Sequence, residues 1–254
     1  MSLEMTTAEL GEYGLQPKKL LLVSGKGGVG KSFLSIGIDS YLRRKGVPFA
    51  AVDADLSNCT FSRRSDKALE LDAYDASDVA SRLQEVIERV LIKEGTPYLV
   101  VDTGAGSERP IRQWLHNERV VSLLESVGVK TYVITVVSPA LDCVTPLIEN
   151  VQLLPEARHV VAMNFGGLKR DPKDEFRPLE TLPEFQDAAK GLARIVIPNL
   201  EDNHKIDELD LALHEVGKWR REVGFFLSHR AAAWMSNMEK QLGGIFDERA
   251  GSAY

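Results

Sequence analysis

The sequence predicts an α/β fold, a three-layer sandwich whose mostly parallel central sheet carries helices on both faces. Three observations lead there. Short apolar runs alternate along the chain with amphipathic stretches, the order expected of repeated strand–helix units. Polar residues stand at the ends of those runs, where open α/β sheets place their ligands. One strand–helix junction holds Ser24-Gly25-Lys26-Gly27-Gly28-Val29-Gly30-Lys31-Ser32, in which Gly25, Gly30, Lys31 and Ser32 fill the fixed places of G-x-x-x-x-G-K-[ST].

Each element has its own signal. Residues 19–23 (KLLLV) read as a short buried strand, and residues 33–45 as a helix with Phe33, Leu34, Ile36, Ile38, Tyr41 and Leu42 available for packing. Gly46 and Pro48 punctuate its end. Residues 49–52 (FAAV) run into Asp53. The polar stretch 57–77 reads as mostly loop, with Ser77 placed to cap a helix that starts at Asp78. Along that helix Val79, Leu83, Val86, Ile87, Val90 and Leu91 make one apolar stripe, and Gly95 and Pro97 close it. Further strands read at 98–101 before Asp102, at 131–137, at 160–163 before Asn164 and at 195–197 before Pro198. A helix reads at 141–154, and another at 227–246 with Leu227, Ala231, Trp234, Met235, Met238, Leu242 and Phe246 on one side. Residues 1–18 read as a flexible N-terminal tail, and 19–254 as a single domain with C-terminal helices.

Composition narrows the function classes. A hydrophobic content of 44% suffices for a sizeable core. Lys and Arg total 31 against 37 Asp and Glu, a net charge of −6. That balance does not indicate broad electrostatic binding of DNA. The basic runs Lys169, Arg170, Lys173, Arg177 and Lys218, Arg220, Arg221 are interrupted by acids and read as solvated surface. Cys59 and Cys143 are the two cysteines, and no C-x-x-C occurs, which argues against a zinc site or disulfide framework and for a reducing cytoplasm. No apolar run approaches a transmembrane length, and no signal peptide precedes the first strand.

The loop has a definite chemistry. Triphosphate oxygens need many donors converging on a small volume. Gly25, Gly27, Gly28 and Gly30 lack a Cβ, so backbone N–H groups can close round the phosphates, with Val29 between them. The loop feeds a helix N-terminus, which favours an anion. In this pattern Lys31 reaches the β- and γ-phosphates, the Ser32 hydroxyl ligates Mg²⁺, and Phe33 begins the helix beside the nucleotide.

With its second lysine, Lys26, the loop resembles the deviant phosphate loop of the ParA/MinD-type ATPases, and the resemblance extends over about residues 19–200. Asp53-Ala54-Asp55-Leu56-Ser57-Asn58 looks like the family's switch I segment, and Asp102-Thr103-Gly104-Ala105-Gly106 like switch II. Gly104 stands where the family commonly has proline. D-x-D-x-x-N-x-T-F (Asp53 to Phe61) together with D-x-G-A (Asp102 to Ala105) most resembles the plasmid TraL/StbC-like branch, associated with conjugal transfer and plasmid maintenance.

The resemblance implies an ATP-dependent homodimer in which Lys26 points across the interface at the partner's phosphates, as an arginine finger does. It implies that Asp55 orients or activates the attacking water, and that Asp53, Asp55 and Asp102 stand at the Mg²⁺ site, Asp53 and Asp102 through water. It implies slow hydrolysis of ATP, with a protein partner that stimulates it. Asn164 matches the family's adenine-reading asparagine, yet it also precedes Phe165-Gly166-Gly167, where a turn asparagine is expected. Pro198 can pack on the base or simply break the chain. Both readings stand at each position.

Other constellations are incomplete. His214-Glu215 lacks the second histidine of H-E-x-x-H, and no G-x-S-x-G occurs. Three roles for the nucleotide compete: plasmid partition, mobilisation or transfer; a MinD-like membrane-associated positioning ATPase; and an ATP-dependent ligase or synthetase. The terminal helix lacks a rich basic face, which favours docking on the core over lipid insertion.

Overall fold

The computed structural model describes residues 18–247, apart from residues 74 and 76. The expected N-terminal tail lies outside the described residues up to residue 17, and Lys18 already belongs to the first strand. β1 (Lys18–Ser24) runs through the glycine-rich loop into α1 (Lys31–Lys45). The chain continues through β2 (Phe49–Ala54), α2 (Thr60–Arg64), β3 (Ala68–Glu70), α3 (Val79–Ile87), β4 (Tyr98–Thr103), α4 (Glu108–Asn117) and α5 (Val120–Ser126). It then forms β5 (Val129–Val137), α6 (Val144–Leu153), β6 (Arg158–Asn164), α7 (Pro172–Glu180), α8 (Pro183–Ala188), β7 (Ala193–Ile197), α9 (Asn203–Glu208) and α10 (Phe225–Phe246).

The seven strands make one sheet in the order β3-β2-β4-β1-β5-β6-β7, and every pairing is parallel. The sheet carries helices on both faces, the arrangement that parallel strands require. Alternation along β1 shows the layering: Leu21 and Val23 join one core cluster, with α1, α6 and α10, while Leu20 and Leu22 join the other, with α3, α4 and α5. β1 is buried throughout between β4 and β5. From β1 the chain builds one side of the sheet, stepping over to β2 and β3 and returning to β4, and then crosses to β5, β6 and β7 on the other side. The carboxyl end of β1 is therefore a topological switch point, where a crevice opens for a ligand.

Several sequence expectations are corrected. The stretch 57–77 is mostly loop, as expected, but it also holds α2 and the three-residue β3, whose Ala68–Glu70 pair with Ala51–Asp53 of β2. Three residues are too few to reveal an alternation. Ser77 does not cap α3. Asp78 stands at that position without a side-chain cap, and the Ser77 hydroxyl bonds Asp75 instead. Past α3 the helix widens into a π turn, Glu88–Lys93, which keeps Val90 and Leu91 buried beside Leu83 and Ile87. The helix expected at 141–154 begins as a 3₁₀ turn, Leu141–Cys143, before α6.

α10 starts two residues earlier than its stripe, with Phe225 and Phe226 exposed. The stripe itself, from Leu227 to Phe246, is buried against the sheet and α1. Gln241 of α10 also reaches the edge strand β7: the Val196 N–H donates to its Oε1 at 2.7 Å, and its Nε2 donates to the Val196 carbonyl at 2.9 Å.

Candidate functional site

The loop lies between β1 and α1 at the switch point. Gly30 takes φ 96, in the left-handed region, and a Cβ there would lie 2.5 Å from Asn164 Nδ2. Only glycine meets both conditions without strain. α1 has no side-chain cap and no acidic residue in its first turn. Its first N–H groups and the positive end of its dipole are thus left to the loop's ligand.

The two loop lysines differ in environment. Lys31 is buried, and its Nζ donates to the carbonyls of Gly25 at 2.7 Å and Lys26 at 3.1 Å. The ammonium is folded over its own loop, where phosphate oxygens can replace those carbonyls. Lys26 is exposed and paired with Asp142 in the turn before α6. The hydrogen bond to Asp142 raises the Lys26 pKa.

The carboxylates at the strand ends divide the work. Asp53 is buried, and burial raises its pKa. Both its oxygens are committed: Oδ1 accepts the Asp55 N–H at 3.1 Å, and Oδ2 accepts the N–H groups of Phe61 and Ser62, each at 2.9 Å. Asp53 thereby anchors the first turn of α2. Asp55 Oδ1 accepts the Ser57 N–H at 3.0 Å, the Ser57 hydroxyl at 2.8 Å and the Asn58 N–H at 3.2 Å.

Asp102, at the adjacent end of β4, is different. It is 1% exposed; Oδ1 accepts the Ser35 hydroxyl at 2.9 Å, and the buried Oδ2 has no hydrogen-bond partner. Burial pushes its pKa up to about 7, against the pull of the Ser32 and Ser35 hydroxyls.

The segment after β2 meets the segment after β4 at Gly104. A Cβ on Gly104 would lie 2.5 Å from Asp55 Cα, 2.6 Å from its Cγ and 2.7 Å from its Oδ1. The departure from the family's proline therefore has a steric reason in this chain: Asp55 occupies the space a side chain would need. The neighbouring Thr103 hydroxyl donates to the Val23 carbonyl at 2.8 Å, holding the end of β4 to β1.

Asn164 and Pro198 stand at the ends of β6 and β7. Asn164 Nδ2 donates to the Val29 carbonyl at 2.8 Å, and its Oδ1 accepts the Gly166 N–H at 2.8 Å. It acts here as both loop brace and turn residue, and retains one amide hydrogen and one lone pair for a base. The Pro198 carbonyl accepts the Trp234 indole N–H at 2.8 Å, and that indole lies 5.0 Å from the Phe33 ring. Pro198 lines a groove of about 880 Å³ between β7, the segment after β6 and α10, together with Phe165, Asn199, Lys240 and Gln241.

Sequence reasoning missed a buried polar cluster behind the loop. Glu108, the first residue of α4, accepts the Ser24 hydroxyl at 2.9 Å through Oε1 and the Gly25 N–H at 3.0 Å through Oε2. Arg112 bonds Glu108 and the Asn150 Oδ1, both at 3.2 Å, and pairs with Glu149. Asn150 Nδ2 donates to Ser24 at 2.8 Å and to Thr135 at 3.0 Å. No local pattern marks these residues; Glu108 reads only as a first-turn helix carboxylate.

Among the described residues, no group of three or more His, Cys, Asp or Glu side chains is arranged to hold a metal. Mg²⁺ does not need one, since it takes one or two carboxylates with phosphate oxygens and keeps several waters. The orphaned Oδ2 of Asp102, near the Ser32 hydroxyl, fits that requirement. Asp53, with both oxygens engaged, fits it less well.

A glycine-rich loop between a parallel strand and a helix, with a lysine, a hydroxyl and a buried carboxylate at its mouth, defines a P-loop nucleotide-binding protein. Residues 20–113 match the family described as the CobQ/CobB/MinD/ParA nucleotide binding domain. Two proteins named TraL, both from Escherichia coli, are similar in sequence. One is 34% identical over 122 residues, 46% of this chain and 49% of the relative. The other is 32% identical over 162 residues, 60% of this chain and 66% of the relative. The chain thus spans between about half and two thirds of the relatives it matches.

Among solved structures, the MinD cell division protein of Aquifex aeolicus matches with a TM-score of 0.51 at 17% identity, covering 86% of this chain and 97% of that one. The MinC:MinD cell division protein complex of the same organism matches at 0.53 and 18%, covering 86% and 96%. At those identities the likeness concerns the fold. In sequence, residues 20–113 are similar to ParA/MinD-type nucleotide binding domains, and the relatives are the two TraL proteins.

Proposed function

We propose that this chain is an ATP-binding, slowly hydrolysing dimerisation switch that acts in plasmid partition, mobilisation or conjugal transfer. The observation that carries the reading is the pairing of two unfinished groups at one strand edge. Lys31 rests on its own loop's carbonyls, and Asp102 Oδ2 is buried without a partner. A triphosphate and its cation would complete both. The plasmid setting is inferred from the TraL relatives.

Each residue then has a role. The loop N–H groups and the start of α1 hold the phosphate oxygens, and Lys31 turns from the Gly25 carbonyl toward the β- and γ-phosphates. Bound Mg²⁺ supplies charge neutralisation between those phosphates. The Ser32 hydroxyl would hold it directly and Asp102 through water, with Asp53 keeping switch I in place behind them. Asp55 orients the attacking water once it swings off its turn. Lys26 leaves Asp142 and reaches the phosphates of a second copy of the chain. Asn164 and Pro198 border the base.

A MinD-like attachment to membranes has less support. No helix among the described residues is long and apolar enough to cross a membrane, and the apolar side of α10 is packed on the fold's own core. The deciding experiment measures phosphate release and light scattering with Mg²⁺·ATP and with Mg²⁺·ADP. ATP-specific doubling of the mass with slow release is expected. A monomer under both nucleotides would overturn the switch.

A further inference from the structure

The polar cluster behind the loop is not required by the chemistry above, and it is an unusual thing to bury. Glu108, Arg112 and Asn150 are 9%, 8% and 2% exposed. A buried ion pair is a poor source of stability, because desolvation offsets most of the attraction, and apolar replacements of similar volume often fold as well. Its geometry suggests another use. Glu108 follows the switch II segment directly and grips Ser24 and Gly25 from the far side of the loop. Arg112, one turn along α4, carries the same charge network to Glu149 and Asn150 of α6. The turn before α6 holds Asp142, the partner of Lys26. The loop is therefore tied to α6 and its preceding turn by three routes: from outside through Lys26 and Asp142, from behind through Glu108 and Arg112, and directly through the Asn150 amide on Ser24.

We infer that Glu108 is a positioning residue which, through Arg112, couples the phosphate loop and switch II to α6, so that α6 reports the nucleotide state outside the site. The inference rests on the reading of the chain as a nucleotide switch. When switch II rearranges around a γ-phosphate, α4 moves with it, since Glu108 begins α4. Gly25 can follow only if the Glu108 carboxylate stays with it. The Arg112 guanidinium, forked between Glu108 on its own helix and Glu149 and Asn150 on the next, passes the displacement on to α6. A carboxylate and a guanidinium suit this task because charge-assisted bonds hold direction as well as distance.

The test is the double variant Glu108→Gln/Arg112→Met, which removes both buried charges together and leaves an amide oxygen to accept the Gly25 N–H. Glu149→Gln, at the partly exposed end of the same chain, is the second variant and spares the fold if the first fails to express. For wild type and variants, fluorescent-ATP affinity, phosphate release and hydrogen exchange across α6 are measured with and without Mg²⁺·ATP. In wild type, ATP changes exchange in α6. In the variants, affinity stays within about threefold, while the α6 response disappears and phosphate release falls about tenfold or more, the size of a typical coupling between sites. A purely structural role would leave the α6 response intact, and that result in a folded variant overturns the inference. Absence of ATP binding in wild type would instead overturn the functional reading, and the inference with it.

Discussion

Asp102→Asn is expected to change the protein's stability with a sign that depends on pH. The Asp102 carboxyl has a pKa of about 7 in the folded chain, against an ordinary value of 3.8, because burial outweighs the hydroxyls that face it. A group that holds its proton more tightly when folded makes the fold less stable as pH rises. The cost is absent below 3.8, grows through the interval and is complete above about 7. At pH 8 it amounts to about 4 kcal/mol, and at pH 5, where the interval has only been entered, to about 1–2 kcal/mol. Asparagine removes this cost. It introduces an amide nitrogen where the unpartnered Oδ2 stood, at about 1–3 kcal/mol if that nitrogen finds no acceptor. The nitrogen's cost is the same at both pH values and cancels in the comparison. The stability change caused by the substitution should therefore be more favourable at pH 8 than at pH 5 by about 2–3 kcal/mol. Urea unfolding of both proteins at both pH values, without nucleotide, measures it. An equal change at the two values would refute the claim that Asp102 is a strained carboxyl kept for a cation. The same variant should also bind Mg²⁺·ATP about tenfold or more weakly, since a neutral amide replaces a strand-end carboxylate with an unpartnered oxygen.

Gly104→Ala should force Asp55 away, because its Cβ would meet Asp55 atoms at 2.5–2.7 Å; a stability loss of about 1–3 kcal/mol is expected, with phosphate release reduced more than ATP affinity. A fully active, fully stable alanine variant would show that the two switches do not touch in solution. Lys26→Ala should keep ATP affinity within about a few-fold while abolishing turnover, and normal phosphate release would sink the role of the second lysine. Asp142→Ala removes an exposed ion-pair partner, so thermal unfolding should shift by no more than about 0–1 kcal/mol in stability. A larger loss would mean that the Lys26–Asp142 pair holds the fold rather than waiting on its surface.

How much of this could be read in the sequence follows from how local each signal is. The loop, the strand-end aspartates and the apolar stripe of α10 are legible because a few neighbouring residues carry each pattern. β3 escapes because three residues, with Leu69 exposed, make no pattern. Gly104 is visible as a departure, but its reason lies in Asp55, just past another strand's end. The Glu108 cluster is invisible for the same reason at longer range: its bonds to Ser24 and Gly25 join residues 84 and 83 positions apart. Asn164 stands between two roles in the sequence, and the hydrogen bond to Val29 adds a third, as a brace under the loop.

The forked contact between Gln241 and Val196 bears on how copies of this chain can meet. A parallel sheet ends in a strand whose outward N–H and C=O groups invite another strand to join. On β7 the carboxamide imitates that absent neighbour, offering one acceptor and one donor at the spacing a strand would. Lateral growth of the sheet is discouraged on that flank, and with it the open-ended stacking that would join nucleotide-free molecules without regard to ATP. For the proposed switch, in which copies meet across the strands' carboxyl ends, a flank guarded in this way keeps the dimer waiting for its ligand.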